Sequence, residues 1–137
     1  TEEVLIESGW AWCNEQSRVY VALAQTVGLA ARMCFIWHAT LPCGHAPAET
    51  FLDGAWAFTD ATYNTMIREP GGHVFSGGEL HSLDRAKRAA DDQYRRAQIQ
   101  QIERWAKTNP VNASAAKTGT RLDSAWFGHV SLSNYII

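Results

Sequence analysis

Three residues of this sequence have the types and spacing for nucleophilic chemistry: Cys13, His45 and Asp60. A thiol acts as a nucleophile only when ionised. Its ordinary pKa of about 8.5 leaves a few per cent thiolate at neutral pH. A neighbouring imidazolium and a helix N-terminus lower that value to roughly 3.5–7.5. The imidazole in turn needs a carboxylate that fixes its tautomer and orientation. A thiolate so prepared attacks an amide or ester carbonyl and forms a thioacyl-enzyme. Water then completes a hydrolysis, and an amine completes an acyl transfer.

Two elements must position these groups. The first is a helix predicted from Cys13 to about residue 27. Asn14, Glu15 and Gln16 place polar and acidic groups in its first turn, where the dipole favours them. Val19, Ala22, Leu23, Thr26 and Val27 recur at helical spacing, and Gly28 suits the position after the last turn. Cys13 then stands at a helix N-terminus, among unpaired N–H groups that favour a thiolate and can serve an oxyanion.

The second element is a hairpin around Asp53-Gly54. This pair is preferred for a two-residue type I′ turn, because both central positions take positive φ. The register follows: Leu52 faces Ala55, Phe51 faces Trp56, Glu49 faces Phe58, Pro47 faces Asp60 and His45 faces Thr62. Alternation puts His45, Pro47, Glu49 and Phe51 on one face with Trp56, Phe58, Asp60 and Thr62. The other face carries mostly alanines and threonines. His45 and Asp60 become diagonal neighbours with Cβ atoms roughly 6–8 Å apart, within reach of a carboxylate–imidazole contact.

The remaining segments are simpler. Residues 1–8 read as a short helix, interrupted by Gly9-Trp10-Ala11-Trp12. Residues 31–38 read as a central strand, buried on both faces and followed by a turn containing Pro42 and Gly44. Residues 63–78 read as loop, with a short strand near 73–75. Residues 79–107 read as one long helix without Gly or Pro. Its acid-before-base i,i+4 pairs, such as Asp84/Arg88 and Asp91/Arg95, describe a solvated face. Its apolar stripe of Leu80, Leu83, Ala86, Ala90, Tyr94, Ala97, Ile102 and Trp105 is weakest in the middle and predicts packing at the two ends. That helix is otherwise a lid or a partner-binding element. Residues 108–123 read as loop and 126–137 as a final strand.

The composition excludes several classes. The chain has 137 residues, of which 46% are hydrophobic, with six Trp. That suits one α+β domain with a packed core. A net charge of −2 leaves no electrostatic footprint for nucleic acid or an anionic membrane. No apolar run approaches the ~20 residues of a membrane span. Three cysteines leave at least one thiol unpaired, and the expected positions of Cys34 and Cys43 are too far apart for a bridge. Cys34, His38, Cys43 and His45 cluster in sequence but lack the spacing of a zinc site. No cofactor is expected, and the sequence gives no basis for choosing a compartment or an oligomeric state. The start at Thr1 reads as the edge of a fragment of a longer chain.

Four motifs stand in order: Trp12-Cys13; Val27-Gly28-Leu29-Ala30-Ala31-Arg32; Gly44-His45-Ala46-Pro47-Ala48-Glu49; and Trp56-Ala57-Phe58-Thr59-Asp60. Together, over residues 8–63, they resemble the transglutaminase-like superfamily of papain-fold thiol enzymes. The resemblance implies an α+β papain-like core, a Cys-bearing helix on a small antiparallel sheet, with the long helix of residues 79–107 added. It implies Cys13 as nucleophile, His45 as base and Asp60 as the group that orients His45. The pattern departs at Pro47, where the family usually has an aromatic, and at Ala61, where Pro is common. The family's helical segment upstream of Cys is nearly absent, so its oxyanion partner is not identified.

Two functional readings follow. One is a thiol hydrolase or acyltransferase acting on peptide or isopeptide bonds of a peptide or protein substrate, with hydrolysis favoured over cross-linking. Acyl transfer to an arylamine from a thioester donor shares the triad. The other is an inactive transglutaminase-like module used for protein binding. Each site residue also has a structural reading. Cys13 is otherwise a small buried hydrophobe, His45 a satisfied core histidine and Asp60 a turn cap. Glu49 is a hydrogen-bonded core residue, or else an accessory to the site. Trp10 and Trp12 wall an acyl pocket, donate an indole N–H to an oxyanion, or pack in the core.

Overall fold

Asp53 and Gly54 both adopt positive φ, 50° and 85°, and this turn sets the register of the sheet. The computed structural model describes residues 1–108 and 122–133, and the Trp105 side chain lies outside them. Helices α1 (Glu2–Ser8) and α2 (Cys13–Thr26) precede strand β1 (Ala31–Trp37). Strands β2 (Gly44–His45), β3 (Ala48–Leu52), β4 (Ala55–Asp60) and β5 (Thr65–Met66) follow. Helices α3 (Gly77–Ser82) and α4 (Asp84–Thr108), a 3₁₀ turn at Ser124–Phe127 and strand β6 (His129–Ser133) complete the described chain. The class is α+β with an antiparallel sheet.

Across the turn, Leu52 pairs with Ala55, Phe51 with Trp56 and Glu49 with Phe58, as the Asp-Gly pair requires. The ladder ends at Ala48 and Thr59, short of the expected Pro47–Asp60 and His45–Thr62 pairs. β2 and β3 both pair with β1 in one continuous register, Ile36 with His45 and Met33 with Ala48. They are two halves of a single strand interrupted at Ala46-Pro47. Pro47 accepts the Cys34 N–H at 2.9 Å but has no N–H to return. β6 covers the other edge of β1, so β1 is central.

Helices cover both faces of the sheet. On one face α2 places Val21 and Ala24 against Ala31, Met33, Ala46 and Ala48. On the other, Leu80 of α3 and Ala86, Ala90 and Tyr94 of α4 pack with Cys34, Ile36 and Phe58. The alanine-rich hairpin face lets α2 approach closely, and the large face builds the main core.

Several sequence expectations need correction. The helix predicted over residues 79–107 is two helices, broken at Leu83, whose backbone is extended (φ −106°, ψ 124°). A continuous helix carrying Leu80 on its core face would next bury Asp84 and Lys87. The break rephases the chain so that Ala86, Ala90, Tyr94 and Ala97 are buried instead. Packing is therefore strong at the Leu80 end, as expected, and also in the middle of the stripe, where small alanines permit close approach; Ile102 is half-buried. Gly77 and Gly78, expected in a loop, open α3, because Ser76 and Glu79 form a capping box. The short strand after the hairpin lies at Thr65–Met66, and residues 73–75 form an antiparallel bridge from Val74 to Arg68, with the Phe75 carbonyl accepting the Phe58 N–H at 2.8 Å and the Phe75 N–H donating to the Ile67 carbonyl at 2.9 Å. Trp126 and Phe127 belong to the 3₁₀ turn, which Asp123 caps, and the last strand begins at His129. The loop and strand expected over 109–121 and 134–137 lie outside the described residues.

One buried ion pair joins these layers. Glu49, with its side chain 1% exposed, accepts from Arg32 Nε at 2.8 Å and Nη2 at 2.7 Å. Its other oxygen accepts the Gly77 N–H at 2.6 Å, at the start of α3. Arg32 also lies over the Trp56 ring at 3.8 Å. A Cβ at Gly77 would meet Cys34 Sγ at 3.1 Å and Glu49 Oε1 at 3.2 Å, so only glycine leaves this room. Removing one partner of a buried pair leaves the other uncompensated. Glu49→Ala is expected to lower unfolding stability in urea by roughly 3 kcal/mol. A loss below about 1 kcal/mol would show that α3 is held by its apolar contacts alone.

Candidate active site

The site begins with Asp60, the last residue of β4, which is fully buried. A buried carboxylate must be hydrogen-bonded, and this one has four donors. Oδ2 accepts from His45 Nε2 at 2.7 Å and from the Tyr94 hydroxyl at 2.6 Å. Oδ1 accepts the N–H groups of Thr62 at 3.0 Å and Tyr63 at 3.3 Å, within the turn that leads to β5. The carboxylate is thereby fixed, and it aims one oxygen at the imidazole.

His45 is 9% exposed, at the end of β2. Burial works against its charged form. The Asp60 bond and a second side-chain bond, to Cys13, outweigh that cost and raise its pKa to about 9. Nε2 belongs to Asp60, so Nδ1 is the nitrogen left for the thiol. The Tyr63 ring stands edge-on to the imidazole, centroids 5.8 Å apart, and meets Tyr94 at 5.7 Å on its other side. Raised above its unfolded value near 6.5, His45 contributes stability that is complete below about pH 6.5. That contribution is lost as pH rises through about 9.

Cys13 is half-buried and is the first residue of α2. Gly9 ends α1 in the left-handed conformation (φ 66°), and residues 10–12 run extended into the new helix. Trp12 precedes the helix, but an indole N–H cannot accept a backbone bond. Glu15 supplies the reverse half of the cap, taking the Trp12 N–H at 2.8 Å. The Cys13 pKa is lowered, first by its bond to His45, which outweighs burial, then by the N–H groups of Ala46 and Asn14. Ala46 also accepts from the buried Ser17 hydroxyl, one turn along α2. At the strand break the N–H and C=O of Ala46 are thus turned to α2.

The structure therefore brings Cys13, His45 and Asp60 together. Glu49 is not among them: its carboxylate is consumed by Arg32 and Gly77. Trp10 and Trp12 are each 66% exposed and meet edge-to-face at 5.4 Å, so they stand in solvent beside the nucleophile rather than in the core. All three cysteines are free thiols. Burial pushes the Cys34 pKa well up, which marks it as an inert core residue. Among the described residues, no group of three or more His, Cys, Asp or Glu is arranged to hold a metal ion. No helix among them is long and apolar enough to cross a membrane.

Sequence reasoning missed Tyr94 and Tyr63. The available signal was a tyrosine in an apolar stripe, since a buried hydroxyl requires a partner. Its acceptor lies thirty-four residues earlier in the chain, which helical periodicity does not reveal. Scans against protein-family models, curated proteins and solved structures return no match to this chain.

Replacing the carboxylate while keeping its shape isolates its charge. Asp60→Asn is expected to lower the His45 pKa by roughly 1–3 units, read from imidazole shifts in an NMR titration. An unchanged midpoint would mean that Asp60 does not set the protonation of His45. Tyr94→Phe removes one of the four donors and is expected to cost about 1 kcal/mol in urea unfolding. A neutral result would mean that water replaces that hydroxyl.

Proposed function

We propose that this chain is a thiol-dependent hydrolase or acyltransferase of amide bonds, with Cys13 as nucleophile, His45 as general base and acid, and Asp60 as the orienting group. We further propose that it belongs to the transglutaminase-like superfamily and that its α2–hairpin unit is the papain-like core of that superfamily. The observation that carries the reading is the buried imidazole held by Asp60 at 2.7 Å, with the Cys13 thiol near enough to raise its pKa further. A histidine that only filled the core would not meet a half-exposed thiol whose pKa is lowered.

The proposed reaction follows from these positions. Cys13 Sγ gives its proton to His45, and the ion pair is the resting form. The thiolate adds to the carbonyl carbon of a peptide or isopeptide bond. The N–H of Cys13, at the first position of α2, is a donor for the oxygen that becomes negative. The C–N bond then breaks, and the amine leaves with the proton from His45. Water attacks the thioacyl carbon after losing a proton to His45, the C–S bond breaks, and the acid is released. An amine in place of water gives acyl transfer.

A second reading has its own support. Trp10, Trp12, Val4 and Ile6 are all more than half exposed, an apolar surface that an inactive binding module would also present. Thiol reactivity separates the two. Native protein is alkylated with iodoacetamide from about pH 5 to about pH 9 and mapped by peptide, with Cys34 and Cys43 as internal references. Cys13 is expected to react well below pH 7, and His45→Ala is expected to remove that advantage. Reaction of Cys13 only above about pH 8, or no faster than Cys43, would favour the binding module.

A further inference from the structure

The surface carries a cleft of about 420 Å³, walled by Leu5, Ile6, Trp10, Gln16, Val19 and Ala61. Its position ties it to the chemistry. Ala61 is the neighbour of Asp60 in the chain, and Gln16 lies one turn along α2 from Cys13. None of its lining residues carries a charge. The Gln16 amide is already used, donating to the Ala11 carbonyl at 2.7 Å. Helix α1, which supplies Leu5 and Ile6, has no buried residue. Its Glu2 meets Arg18 of α2 at 2.7 Å. Ile6 and Trp10 stand 55% and 66% exposed at this cleft. Apolar groups of this size gain by being covered.

We propose that this cleft is the acyl-side subsite of the enzyme and takes an apolar side chain of the substrate, a short aliphatic or aromatic group. The inference rests on Cys13 being the nucleophile. The side follows from the reaction. The leaving amine must receive its proton from His45, so it lies toward β2. The cleft is walled by α1, the Gly9–Trp12 connection, α2 and Ala61, with nothing from β2. It therefore lies where the acyl group remains while it is bonded to Cys13 Sγ. α1 and Trp10 set specificity, which gives the first helix of the chain a function that its weak packing does not explain.

The test uses three p-nitrophenyl esters that share a leaving group: acetate, hexanoate and hydrogen succinate. Cys13 Sγ attacks the ester carbon, the C–O bond breaks, and p-nitrophenolate is released as the thioester forms. Each rate is divided by that of the same ester with a small free thiol. The expected result is a hexanoate-to-acetate ratio of about 10 or more, with succinate no better than acetate. A tenfold ratio corresponds to ~1.4 kcal/mol of binding, a fraction of the full burial of a small aliphatic group. Val19→Phe, which fills the cleft, and Ile6→Glu, which charges its exposed rim, are both expected to bring the ratio toward 1. Equal rates for the three esters, or a ratio that survives both substitutions, would overturn the subsite while leaving the thiol enzyme intact. No release above the Cys13→Ala background, together with ordinary thiol alkylation, would overturn the enzyme reading and the subsite with it.

Discussion

The structure depends on the burial of one charge, the Asp60 carboxylate. An ionised carboxylate taken out of water costs several kcal/mol unless every lone pair is answered. Here the answers come from three parts of the chain: His45 of β2, Tyr94 of α4, and the backbone of the turn after β4. Each of those parts has to be in place before Asp60 can be buried. The requirement explains α4. Its core stripe supplies Tyr94, and outside that stripe Gln93 and Gln101 bond to Arg68 and Thr62 on the segment that follows Asp60. The long helix is the brace that fixes the acidic end of the triad.

The nucleophile end is fixed by a different device. A regular strand would spend the N–H and C=O of Ala46 on neighbouring strands. Pro47 interrupts the pairing, and β4 has already ended its ladder at Thr59. The Ala46 peptide then serves α2, its N–H directed to the Cys13 sulfur and its C=O accepting from Ser17. Pro47 is thus part of what brings the helix to the imidazole. Local disruption of the sheet stands next to the chemistry, as strand irregularities often do.

What the sequence made legible was local. Asp53-Gly54 fixed the hairpin register, and with it the meeting of His45 and Asp60, because a type I′ turn leaves no freedom in which residues face each other. Gly9 and Gly28 bounded the nucleophile helix through positive φ. The parts that stayed hidden depend on contacts between distant segments. The break at Leu83 is decided by which residues the sheet must cover, not by local propensity, since Leu83 itself is a good helix former. Tyr94 read as one more apolar position because the carboxylate it serves is set by tertiary packing. Glu49 stood on the same strand face as His45; its pairing opposite Arg32 of β1 and the approach of Gly77 of α3 decide which groups take it.

The protonation of the triad closes the physical account. Cys13 and His45 exchange one proton, so the neutral pair and the ion pair carry the same net charge beside Asp60. In the proposed mechanism, proton transfer to His45 would form a thiolate without burying a second net negative charge. Linkage shows the same balance. His45, with its pKa raised to about 9, loses stabilising influence as pH rises through that value. Cys13, with its pKa lowered, contributes stability that is present above its unfolded value and lost as pH falls through its folded one. The two dependences have opposite sign. If Cys13 and His45 form the proposed ion pair, the cost of each charge is offset by the other. What remains to be met by the fold is the single carboxylate at Asp60, and most of the chain after β4 is arranged around it.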